Sequence, residues 1–262
     1  MKSSLIRMSK QIGAIGVITF HELLREKVLW SAFVFAVLCV GLAYAASQLS
    51  FAENARIALD FGLTSISIVG GLISIIMGAG LIAREVQNRT LYLVLTKSIW
   101  RWQFVVGRLV GLLGVLALNA AVMMVVLLVV YFLLEGKAES AIAQSFILQV
   151  VEFGVLASVA CIFSAFSTTT MAAIFASGIW VIGHAMTDLR ILVSKIESPA
   201  SKAMLELITA TLPDLTRFDI KAQVAHHLPV TWTYTVVSVG YGFLYIIFAI
   251  VAACLIFRKR DL

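Results

Sequence analysis

The chain has 262 residues, 61% of them hydrophobic and 13% charged, with a formal net charge of +6. A soluble globular domain carries roughly 25% charged residues. Several apolar runs here reach the ~20 residues that a helix needs to cross a bilayer, so the composition excludes an ordinary soluble domain and describes an integral membrane protein.

The N-terminus, "MKSSLIRMSKQIG", is basic but has neither an adjacent short apolar core nor a small-residue cleavage site, so no removable signal peptide is read. Residues 11–27 follow as an amphipathic interfacial helix. Ile12, Ile15, Phe20, Leu23 and Leu24 share one face, and Gln11, His21, Glu22 and Arg25 the other. The alternative is a plain basic leader to the first span. Six transmembrane helices are predicted, over 28–49, 61–83, 104–134, 142–166, 171–187 and 232–257. Helix is the expected form because it satisfies its own backbone groups in lipid. The third span is long enough to tilt or protrude.

Between the second and third spans the chain reads "LIAREVQNRTLYLVLTKSIWRWQF" over residues 81–104. Five cations gather around this break, Arg84, Arg89, Lys97, Arg101 and Arg108. Glu85 and Arg89 form an i, i+4 pair in the favourable order. Leu91, Val94 and Leu95 make a short apolar stripe, and Trp100, Trp102 and Phe104 an interfacial belt. The segment 84–103 is therefore predicted as a short helix with one apolar and one charged face. Such a helix is marginal alone in water and must pack on headgroups or on another protein. An ordinary loop carrying orientation charge is the other reading.

The segment 188–231 is predicted to hold two short amphipathic helices. One is capped at Ser198, has Pro199 at its first position and stops at Pro213. The second is capped at Asp214 and stops at Pro229. Thirteen cations lie on the side of both termini, whereas seven lie on the other side, matched there by nine acids. The positive-inside rule then puts both termini in the cytoplasm. The basic charge follows topology, and nucleic acid is not an expected partner.

Few polar groups enter the spans. Glu152 is the only carboxylate well inside one, and a charge there must face the bundle interior, pair or be protonated. It is a candidate for the translocation path, with a carboxyl hydrogen-bonded to a neighbouring helix as the alternative. Asn119 is a second path candidate, read first as interhelical glue. Gly70, Gly71, Gly78 and Gly80 with Ser65, Ser67 and Ser74 mark the second span as a close-packing face, for a dimer seam or a neighbouring helix. Cys39, Cys161 and Cys254 lie in apolar runs and form neither a disulfide framework nor a metal motif. His184 with Asp188, and His226 with His227, close no ligand set, so no metal site is assigned. "HELLR" at 21–25 lacks the second histidine of a zinc-protease helix. No Gly-x-x-x-x-Gly-Lys-Ser/Thr run occurs, so this sequence has no phosphate cradle of that kind.

The order of these motifs resembles a known family. "AREVQNRTLYLVLTKSIWRWQFVVGRLVG" is similar to the stretch after the second span of ATP-binding cassette (ABC) transporter permeases of the type-2 exporter class. There a Glu precedes a Thr-Leu pair, and an Arg and a Gly-Arg follow, here Glu85, Thr90, Leu91, Arg101, Gly107 and Arg108. "LPDLTRFDIK" (212–221) and the ending "FRKRDL" resemble the branch named for multicopper-enzyme maturation. Ser98 departs from it, since many relatives carry Pro there. The resemblance implies that Arg84, Glu85, Arg89, Thr90, Leu91, Lys97 and Arg101 form a coupling helix against a cytoplasmic ATPase, with His21, Glu22 and Arg25 of the interfacial helix beside it. It implies a noncatalytic subunit that binds no cofactor, ATP and Mg being held by two copies of the partner ATPase. It also implies a second permease copy, identical or a close paralogue, lipid surroundings, and the bacterial cytoplasmic membrane. An ATP-independent carrier is the alternative function, and an intramembrane enzyme a more distant one.

Overall fold

The computed structural model describes residues 2–25, 30, 34–38, 41, 54–87, 100–137, 139–195 and 199–258. The first predicted span, 28–49, lies largely outside the described residues, as do residues 88–99 of the segment after the second span. The described chain is helical, with no strand among the described residues. We number its helices α1 (Lys2–Arg25), α2 (Asn54–Gln87), α3 (Arg101–Leu133), α4 (Ser140–Ser164), α5 (Thr169–His184), α6 (Met186–Lys195), α7 (Pro199–Thr211), α8 (Lys221–Ala225) and α9 (Trp232–Arg258), with a 3-10 turn at Leu215–Phe218 before α8. Four of these, α2, α3, α4 and α9, are long and apolar enough to cross a membrane, and α5 with the start of α6 makes a fifth if a 63° bend is allowed within one span.

The apolar runs set these lengths, and local chemistry sets their ends. At the start of α3 the Gln103 side chain reaches back to accept from the Trp100 amide at 3.0 Å, which satisfies one otherwise orphaned donor. After α3, Glu135 takes a left-handed φ of 62°, and the Gly136 amide donates to Tyr131 O at 3.0 Å. The Thr168 hydroxyl caps α5 by accepting from the Met171 amide.

α4 sits at the centre. Most of its side chains are buried, and it packs against α2, α3, α5 and α9. The glycine-rich face predicted on α2 is spent inside this chain. A Cβ at Gly78 would lie 2.6 Å from Ala157 O of α4, and one at Gly71 would lie 3.1 Å from the Trp180 ring of α5. Small residues let backbones approach where no hydrophobic force separates helix from lipid. α9 buries a mostly small face, Thr235, Ser238, Gly242, Ile246, Ala249 and Ala253 with Phe257 at its end, and turns Phe243, Leu244, Phe248 and Val251 outward. In a bilayer that apolar exterior meets acyl chains.

Two boundaries differ from expectation. The predicted fifth span, 171–187, breaks at Ala185. The 3-10 turn presses on this end of α5, where a Cβ at Gly183 would lie 2.7 Å from Leu215. The charged residues Asp188 and Arg190 then leave the apolar layer along α6. The second predicted helix of 188–231 is split. Asp214 caps the 3-10 turn by accepting from the Thr216 amide at 3.2 Å, and a new helix starts after Ile220.

Candidate functional site

The helix ends divide the polar groups into two regions. At one end, the basic end, lie the last turn of α1, the last turn of α2, the first turns of α3 and the last turn of α9. α1 does not stand free here. It runs along α3 with Ile12, Ile15, Thr19, Phe20 and Leu23 inward, and Val17 and Ile18 outward. The contact is close because both partners are small at the crossing. A Cβ at Gly111 would lie 2.5 Å from Gly16 O, and one at Gly107 would lie 2.8 Å from the Ile15 Cβ.

That packing delivers Glu22 to Arg108. The Arg108 guanidinium donates to Glu22 at 2.7 Å and, with its other nitrogen, to Glu85 at the end of α2. The Arg108 and Glu85 side chains are 11% and 15% exposed, against 44% for Glu22, so the two arms of this fork differ in dielectric environment. The Arg108 charge also lies 5.5 Å from the centre of the Phe104 ring. A cavity of about 90 Å³ opens beside the fork, lined by Glu22, Leu23, Met77, Leu81, Arg84, Glu85 and Arg108.

One turn deeper, α2 is tied to α4. Ser164 is fully buried at the end of α4. Its hydroxyl oxygen accepts from the amides of Ile82 at 3.1 Å and Ala83 at 2.9 Å and donates to Ala79 O at 2.7 Å. A side chain inserted at a helix backbone ladder is a recognised origin of local irregularity. Here it fixes the turn of α2 immediately before Arg84 and Glu85.

The predicted residues distribute as follows. Glu22, Arg84 and Glu85 meet around Arg108. Arg101 instead donates to the Arg258 carbonyl at 3.4 Å, at the C-terminal end of α9, where a cation is favourable. His21 stays on its own helix, with Nδ1 2.9 Å from Val17 O, and Arg25 is exposed in the last turn of α1. Arg89, Thr90, Leu91 and Lys97 lie outside the described residues. Sequence reading counted Arg108 among the cations and the Gly-Arg motif but did not assign it to the site. Its signal was the small-residue spacing Gly107 and Gly111, four apart, which brings a helix close enough for Glu22 to reach it.

The second region lies at the opposite, capped end. Asp214 holds α6, the 3-10 turn and α9 together. Its carboxylate is 2.8 Å from Arg190 and 3.4 Å from Arg217, and it accepts from the Thr216 hydroxyl at 2.6 Å, while its amide donates to the Tyr241 hydroxyl at 2.9 Å. The Arg217 guanidinium stacks over the Tyr241 ring at 4.9 Å. Burial alone would raise the Asp214 carboxyl. The Thr216 hydrogen bond and the Arg190 and Arg217 charges outweigh it and hold the carboxyl below its ordinary value. Nearby, Arg56 lies 2.6 Å from the His226 ring, and His227 lies 2.7 Å from Glu139, which ties the segment after α7 to the starts of α2 and α4.

Beneath this cap, Glu152 is buried on α4 with its Oε1 3.3 Å from His184 Nε2. The sequence set His184 beside Asp188 of the next turn, but the structure pairs it with Glu152 of α4. Asn119 is buried on α3 and donates to the Met123 sulfur at 3.7 Å. No group of three metal-ligating side chains occurs among the described residues.

The described residues form two polar ends joined by apolar helices, one of them built around an ionic fork. A family model described as ABC-2 family transporter protein matches residues 15–262, the whole described bundle except the first half of α1. No curated protein matches the chain.

Proposed function

The chain belongs to the ABC-2 transporter family and is a multi-pass transporter permease, and on that premise we propose that it exports its cargo by ATP hydrolysis on a separate cytoplasmic ATPase. The single observation that carries the coupling assignment is the fork of Arg108 to Glu22 and Glu85. It joins the amphipathic helix to the end of α2 and the start of α3, the two elements that flank residues 88–99 in the chain. A force applied to that segment by a partner reaches all three. ATP can favour one bundle arrangement only through contacts that differ between the two states, and the charged residues 84–97 are where those contacts are proposed.

In this reading the basic end faces the cytoplasm, which places both termini inside. Arg84, Glu85, Arg89, Thr90, Leu91, Lys97 and Arg101 of each permease copy contact one of two ATPase copies, which hold ATP and Mg. Two permease copies complete the transporter in the bacterial cytoplasmic membrane, with six spans per chain once residues 28–49 are counted. The likeness to the multicopper-maturation branch stays a proposal about lineage. Glu152 and Asn119 are proposed for the translocation path. No observation favours an ATP-independent carrier.

The test is a double substitution, Glu85→Ala with Arg89→Ala, in the complex purified from native membranes. ATP hydrolysis should persist while transport is lost. If transport stays proportional to hydrolysis, this segment is not the coupling element. A tag near position 90 that is reachable only from outside the cell would reverse the orientation.

A further inference from the structure

The capped half of α4 carries Ser145, Gln149 and Glu152, spaced i, i+4 and i+7, hence on one helical face. They span about 10 Å along the axis, and all three are buried. Ser145 Oγ and Gln149 Oε1 have no hydrogen-bond partner among the described residues, and Glu152 Oε1 is approached by His184 Nε2 at 3.3 Å. The Gln149 amide is oriented by its own bond, because Nε2 donates to Leu63 O at 3.1 Å and leaves Oε1 as an acceptor. Buried polar atoms in proteins are nearly always paired, so two orphans in one row with a buried carboxyl call for a functional reason.

The row ends at His184. Its Nδ1 lies 3.1 Å from Trp180 O, and a carbonyl can only accept, so Nδ1 keeps its hydrogen. The variable proton is therefore at Nε2, facing the Glu152 carboxyl. Both groups cannot be bare there without an unpaired buried anion, which is costly. The pair therefore holds one proton. The other charged groups facing this carboxyl among the described residues are Lys221 and Asp219 of the capping segment, which already pair with each other at 3.4 Å. The Trp180 indole N–H, buried and without an acceptor in bonding geometry, faces it as well.

We propose that Ser145, Gln149 and the Glu152–His184 pair form a binding site for a monovalent cation that donates hydrogen bonds, a proton or the ammonium head of an alkylamine, entering beneath the cap. Such a donor satisfies the row one turn at a time. A quaternary ammonium of equal charge offers no N–H and leaves the oxygens orphaned. The site is independent of coupling to ATP, so its failure would leave the transporter reading intact.

The experiment uses the purified full chain in lipid nanodiscs and dicyclohexylcarbodiimide. A protonated carboxyl adds across the carbodiimide C=N bond, its proton passing to nitrogen, and the adduct on Glu152 is read by peptide mass spectrometry, with Glu152→Gln as the blank. Dodecylammonium should slow labelling by about tenfold while dodecyltrimethylammonium leaves it unchanged, and Gln149→Leu or Ser145→Ala should remove the protection. That outcome assigns an amine. If neither amphiphile protects, but labelling titrates with one proton and His184→Gln or Gln149→Leu moves the midpoint by about one pH unit, the ligand is the proton. The proposal is overturned if Glu152 is unlabelled at every pH. Equal protection by both amphiphiles, or labelling indifferent to pH and to Gln149 and His184, would overturn it too.

Discussion

Replacing Arg108 should separate the two arms of the ionic fork by their burial. In Arg108→Met the apolar stem volume is kept while both charge-assisted bonds are lost. The Glu85 arm joins two side chains that are 11% and 15% exposed. A hydrogen bond to a charged group in that setting contributes about 1.5–3 kcal/mol. The Glu22 arm ends on a side chain 44% exposed, and such pairs contribute about 0.2–1 kcal/mol. The total loss should be about 2–4 kcal/mol. The loss of the Arg108 contact with Phe104 cancels in a double-mutant cycle. Cycles of Arg108→Met with Glu85→Gln and with Glu22→Gln, measured by tryptophan fluorescence during unfolding in mixed micelles, should give a coupling of about 2 kcal/mol for Glu85 and under about 1 kcal/mol for Glu22. A Glu22 coupling equal to or larger than that of Glu85, or two couplings near zero, would refute the assignment of Arg108 as a buried anchor of α2.

Three further outcomes follow from other contacts. Ser164→Ala removes three hydrogen bonds to the α2 backbone and should cost about 2 kcal/mol; Ser164→Thr should retain most of it, and hydrogen exchange at the amides of Ile82 and Ala83 should change in the first variant only. Gly78→Val places a side chain against Ala157 O, a backbone atom that cannot rotate away, and should cost at least about 1–3 kcal/mol through overpacking; normal yield and unfolding would show that α2 and α4 are not in this register. Because the Asp214 carboxyl is held below its ordinary value of 3.8 in the folded protein, its anchoring is complete above that value and fades as pH falls through the lower folded value. Proteolysis of residues 186–231 should accelerate on acidification below pH 3.8 in the parent, whereas Asp214→Asn should be susceptible already at neutral pH and lose that dependence.

The basic-end elements were legible one at a time. Glu85 stood out from its flanking charges, and the face of residues 11–27 from its period, because helical periodicity and charge are local properties of the chain. Glu22 could be placed on the polar face, but nothing local says that this face is turned toward α3 and not toward water. The Gly16, Gly107 and Gly111 crossing decides that, since backbones that meet within van der Waals contact leave α1 one available seat. The break at Ala185 was hidden for a similar reason. The run Met171–Thr187 holds no proline and no carboxylate, lysine or arginine to mark a stop, and the 3-10 turn packed on Gly183 is a contact from outside the run.

What the sequence determined by itself was the solvent and the secondary structure. Long apolar runs demand lipid, and lipid demands helices that satisfy their own backbones. The charge bias between the loops and the proline and aspartate start and stop signals around 199–214 are equally local. The tertiary structure decided the partners: Arg108 with Glu22 and Glu85, Ser164 with the α2 backbone, and Glu152 with His184. In a bundle surrounded by lipid, burial does not distinguish one apolar face from another. Close packing of small residues settles which helices touch, and the polar side chains pair with whatever that packing brings within reach.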